Sequence, residues 1–149
     1  MGNYATDADL VAKRPNVLQL DPDHSTWDFK HTEATEEINH DIELEWYRDN
    51  AYARGVDPST NPFDADLLQN VTRLKNLAVY KTLELIYEYV AKDISDCPYD
   101  KERDYFAKKY SVEFKRVMAM GLDYDWNEDS TLDDGEKLNK ASPRTLERV

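Results

Sequence analysis

Asp125, Asn127, Asp129, Thr131, Asp133 and Glu136 stand at positions 1, 3, 5, 7, 9 and 12 of one twelve-residue stretch. That spacing wraps oxygen donors around a hard divalent cation: four carboxylates, one side-chain amide and the backbone carbonyl of Thr131. Leu132 supplies the apolar residue at position 8. Position 6, which asks for a glycine at a sharp left-handed turn, is Ser130, and a side chain there costs about 1 kcal/mol. The segment that should leave the loop as a helix, 137–141, meets Pro143 almost at once. Two readings follow. One is an acidic, solvated turn with no cofactor, which ends a helix and launches residues 137–149. The other is a weak calcium or magnesium site, in the range of about 10⁻⁴–10⁻³ M.

Other chemistry finds little footing. The chain has no glycine-rich phosphate loop, nucleophile elbow, paired histidines or Cys-x-x-Cys, so no catalytic residue is assigned and no enzyme is expected. His24, His31 and His40 are spread along the chain, and surface or capping roles are expected for each. Cys97 is the only cysteine, which fits a reducing compartment and a packing role beside Pro98. The opening residues from Gly2 to Thr6 fit a short myristoylation pattern but lack a polybasic cluster, and no apolar leader segment is read. Asn70-Val-Thr72 fits a glycosylation acceptor, set aside in a chain read as non-secreted.

Composition and charge bound the rest. At 149 residues the chain suits one domain, and 40% hydrophobic content with 3 Trp, 10 Tyr and 4 Phe argues for a packed core. No apolar run is long enough for a membrane span. The net charge of −12 is uneven, because residues 21–50 hold ten acids against Lys30 and Arg48. Such a chain should not grip phosphate backbone, although DNA could slide past it. Glu36, Glu37 and Glu43 are the acids expected to face solvent or a channel.

Three helices are legible. The first runs from about Trp27 to Ala53, with Ser25 as its N-cap, an apolar ladder of Ala34, Ile38, Ile42 and Trp46, and Leu44 and Tyr47 beside it. Gly55 ends it. The second spans Asp66 or Asn70 to Asp93, and the third Tyr99 to Met120, stopped by Gly121. The expected fold is all-α: a small bundle of three main helices, an antiparallel hairpin over 66–120 covered by the N-terminal helix. Residues 1–24 and 121–149 are expected as extended arms, the latter starting with the acidic loop. Trp27, Phe29, Tyr52 and Phe63 lie near helix ends, where a small bundle has little core to offer, and are expected at contacts between subunits.

The order of pieces resembles the head–tail adaptor (connector) proteins of tailed bacteriophages. The pieces are Ser25-Thr-Trp-Asp-Phe29, Glu36-Glu-Ile-Asn39, Glu45-Trp-Tyr-Arg48, Ala53-Arg-Gly-Val-Asp57 and Pro62-Phe-Asp64. They continue with the run 78–87, Tyr105-Phe-Ala-Lys-Lys-Tyr110, Glu113-Phe114 and Gly121-Leu-Asp-Tyr-Asp125. The resemblance implies a structural virion protein in a ring of about twelve copies between the portal and the next stopper, neck or tail-completion component. DNA would pass through without specific binding. The site would be the neck of the virion, after assembly in the host cytoplasm, with no membrane involved.

Overall fold

The computed structural model describes residues 2–91, 98–131, 133 and 136. The readings made for Cys97, Leu132 and the arm 137–149 lie outside the described residues. The fold is mainly α-helical with one small two-stranded sheet. In chain order the elements are α1 (Asp7–Lys13), α2 (Asp28–Ile42), a π turn (Glu43–Tyr47), α3 (Arg48–Ala53), β1 (Leu68–Gln69), α4 (Lys75–Ala91), α5 (Pro98–Met120) and β2 (Asp123–Tyr124). No described helix is long and apolar enough to cross a membrane. The chain divides into two compact units, one holding residues 2–38 and 74–114, the other residues 39–73 and the chain from Lys115 on.

In the unit built from residues 2–38 and 74–114, the ladder of α2 is longer than the expected one. Trp27, His31, Ala34 and Ile38 follow one another at helical spacing and all are buried. Residues 2–24 are not an extended arm. They form α1 and a 3₁₀ turn over Val17–Gln19, and Leu10 and Val17 are fully buried. This segment explains two further corrections. Trp27 is fully buried within this chain, its indole N–H donating to the Val17 carbonyl at 2.8 Å, so it is not the exposed contact residue expected of it. The start of α2 is not capped by Ser25: the Asp7 carboxylate accepts the Trp27 N–H at 3.3 and 3.4 Å. His31 is also not at the surface. It is 3% exposed, with Nε2 2.9 Å from Asp7 Oδ1.

Helices α4 and α5 run antiparallel, as paired positions show: Tyr87 meets Tyr99 and Phe106, Tyr80 meets Phe106, and Lys81 lies over the Tyr110 ring. Pro98 opens α5, where its missing N–H would have had no helical acceptor. Against α4, α2 places Trp27 and Phe29 on Tyr89, and Glu37 on Lys81 Nζ at 3.2 Å. Tethering α1 are Lys75 with Asp9 and Arg14 with Glu102, at 2.9 and 2.8 Å.

In the other unit the first helix is interrupted. A π turn at Glu43–Tyr47 widens the helix by one residue, which sets both Trp46 (0% exposed) and Tyr47 (3%) inward, while Leu44 is exposed rather than part of the stripe. Gly55 at φ 75° closes α3. The second helix does not begin at Asp66 or Asn70, because Leu68 and Gln69 pair with Tyr124 and Asp123 as antiparallel strands. Asn70 then turns through φ 55°, and regular α-helix starts only at Lys75. Gly121, at φ 97°, ends α5 and donates its N–H to the Val117 carbonyl at 3.0 Å.

Candidate functional site

The acidic stretch after β2 is folded as a compact turn with its oxygens gathered. Asp125 is 2% exposed and Glu136 4%, while Asn127, Asp129, Thr131 and Asp133 are exposed. Asp125 accepts the N–H groups of Asp129 at 3.3 Å and Ser130 at 2.8 Å. Glu136 reaches back to accept from Asn127 N–H at 3.2 Å and Asp133 N–H at 2.9 Å. The Asp129 carboxyl lies below its ordinary pKa, because the Thr131 N–H and hydroxyl, each at 2.9 Å, stabilise its charged form. Ser130 stands at φ 66°, the left-handed conformation position 6 demands, so the strain expected for a non-glycine is present.

One carboxylate oxygen from each of Asp125, Asp129 and Glu136 lies within 4.8 Å of the others. Oxygens bound to one calcium ion at about 2.4 Å can stand no farther apart than about twice that distance, so the donor set fits a hard cation. Asn127 and Asp133 are held together by the Asn127 amide donating to Asp133 Oδ2 at 3.0 Å. The loop is fed by a strand and not by a helix. Four residues separate Met120 from Asp125, and β2 fills them in part, with the Asp125 N–H bound to the Leu67 carbonyl at 2.9 Å.

Ser130→Gly should relieve the turn. Subtracting the freedom glycine gains in the unfolded chain, a stabilisation of up to about 1 kcal/mol is expected. The measurement is a heat-denaturation midpoint with and without millimolar calcium. The variant should melt higher and respond to calcium more than the parent; an unchanged or lower midpoint would mean that Ser130 carries no strain. A large rise of the parent's midpoint at micromolar calcium would overturn the expectation of weak affinity.

Beside this loop lies a cleft of about 880 Å³, lined by Tyr47, Asp57, Phe63, Asp64, Tyr124, Trp126 and Glu128 among others. Its aromatic floor is continuous: Trp126 stacks on Tyr47 at 5.4 Å and 11°, Phe63 stacks on Tyr124 at 5.8 Å, and Tyr124 meets Trp126 edge-on at 4.6 Å. The Tyr47 hydroxyl donates to the Asn61 carbonyl, and the Tyr124 hydroxyl accepts the Asp64 N–H at 3.2 Å. Burial pushes both phenols above their ordinary pKa, Tyr124 most. Sequence reasoning missed the cleft because its wall is drawn from three separate stretches, Tyr47, residues 55–67 and residues 124–128.

The remaining sequence-selected residues are scattered. Tyr52 (63% exposed) and Phe29 (40%) are on the surface, and Phe63 is half-buried in the cleft wall. Glu36 is exposed, whereas Glu37 is tied to Lys81 and Glu43 lies 3.8 Å from Arg48. Neither protein-family models, curated proteins nor solved structures give a match to this chain.

Proposed function

We propose that this chain is a structural virion protein, a head–tail adaptor. In this reading about twelve copies form a ring between the portal and the next stopper, neck or tail component, around the channel through which DNA passes. Its three main helices act as one bundle, and residues 137–149 act as an arm toward a neighbouring subunit or the portal. What supports the reading most is where the resembling pieces fall. Trp27, Ile38, Trp46, Phe106, Tyr110 and Tyr124 come from five of the pieces, and each is buried. Those five pieces therefore supply residues that hold the fold together, as expected if a shared order of motifs reflects a shared fold. Phe29 and Tyr52 are left exposed for contacts between copies, a role Trp27 does not share.

Mass measurement of the protein alone, and mixed with its portal, tests the proposal. A multi-copy ring formed on the portal is the expected result. A stable twofold dimer that ignores the portal would overturn it.

A second reading, cation binding at Asp125–Glu136, is favoured by the gathered carboxylates. A calcium switch acts by changing the angle between two flanking helices, whereas here a short strand pinned to β1 feeds the loop. A bound ion would thus fasten the loop and not open a surface. The calcium response of Ser130→Gly separates that reading from a plain acidic turn.

A further inference from the structure

We infer that the cleft walled by Phe63, Tyr124 and Trp126 is a docking site for an arginine side chain on a partner polypeptide. The inference stands apart from the ring proposal, since it concerns this cleft alone.

Three observations carry it. The cleft is large enough for a side chain with its flanking backbone, and it falls within the usual size of ligand sites, about 300–1,000 Å³. Among the described residues its charge is of one sign: Asp57, Asp64 and Glu128 line it, and no lysine or arginine does. Of its wall rings Tyr47 and Tyr124 are buried, while Phe63 and Trp126 are partly exposed; an exposed ring face attracts a cation, and the carboxylates beside it can take the guanidinium edge. A guanidinium suits both at once, being planar, weakly hydrated and forked, whereas an ammonium is a compact point charge that keeps its water. The unit already makes one such contact of its own, with the Arg54 guanidinium carbon 4.7 Å from the Trp126 ring centroid.

The carboxylates can be tested without breaking the turns that carry them. Asp57 Oδ1 accepts the Ser59 N–H and Asp64 Oδ1 the Asp66 N–H, both at 2.9 Å, and an asparagine oxygen can accept the same bonds. Asp57→Asn, Asp64→Asn and Glu128→Gln therefore remove charge and keep the local fold. A fluorescence readout is built in. Trp27 and Trp46 are fully buried, so the partly exposed Trp126 is the tryptophan a ligand in the cleft would perturb.

The experiment titrates the full chain with the capped peptide Ala-Arg-Arg-Ala, and with versions carrying lysine or citrulline in place of arginine, while following tryptophan emission. The arginine peptide should saturate the signal and weaken as salt rises. The lysine peptide should bind at least several-fold less tightly, and citrulline, which keeps the shape without the charge, at least tenfold less. The triple variant should lose at least tenfold in affinity for the arginine peptide while melting at the parent's midpoint. Phe63→Leu should weaken binding several-fold and leave the salt dependence in place. Equal binding of the citrulline peptide, preference for lysine, full affinity in the triple variant, or no saturable response would each overturn the proposal.

Discussion

Trp27→Ala should cost about 3–5 kcal/mol, because it empties the largest side-chain volume in its part of the core and leaves the Val17 carbonyl with only the longer bond from the Leu20 N–H, at 3.4 Å. At this chain length that loss lowers the melting midpoint by roughly 6–20 °C. Phe29→Ala is the matched control. Phe29 touches Trp27 and Tyr89 but is 40% exposed, so about 1 kcal/mol is expected from it. Thermal and denaturant unfolding of the two variants measures both. A Trp27→Ala protein that melts with the parent yet fails to assemble would return Trp27 to the subunit interface and contradict its burial.

Asp123→Ala is the second large effect. Asp123 is 3% exposed, accepts the Asn70 amide at 2.6 Å, and places Oδ2 3.1 Å from Arg73 Nη1. The arginine pair is close enough for Coulomb attraction but is not aligned as a hydrogen bond. Removing the carboxylate strands the Asn70 amide and leaves a partly buried guanidinium uncompensated, at a cost of about 2–4 kcal/mol. Asp123→Asn, which keeps an acceptor for Asn70, should lose roughly half as much. Because Asp123 lies in β2, directly before the acidic loop and the cleft wall, Trp126 emission should shift in the Ala variant before global unfolding. Stability within about 0.5 kcal/mol of the parent would show that this corner does not depend on the carboxylate.

What the amino-acid order disclosed was whatever repeats locally. The α2 ladder through Ile38 and Ile42 to Trp46 was readable because a helix returns the same face every three or four residues. The same period reaches back to His31 and Trp27, but their burial depends on Asp7 and Val17, which no spacing rule connects to them. The start of α4 was misplaced for a related reason. Leu68 and Gln69 look like helix residues until β2, more than fifty positions away, supplies their hydrogen bonds, and two-residue strands are too short to alternate visibly. At the cation loop the donor spacing was plain and Ser130 was the recognisable misfit, because both are properties of one continuous stretch. The cleft was not, since Tyr47, Phe63, Tyr124 and Trp126 become neighbours only after folding.

The π turn at Glu43–Tyr47 holds one residue more than a regular α-helical path needs. Such a turn takes up the extra residue locally, so that the segments on either side stay in phase with each other. Deleting Glu45 would remove that residue. The helix would close to its regular pitch with Ile42 and Ala51 on the faces they now bury, and only the widened turn that sets Trp46 and Tyr47 inward together would change.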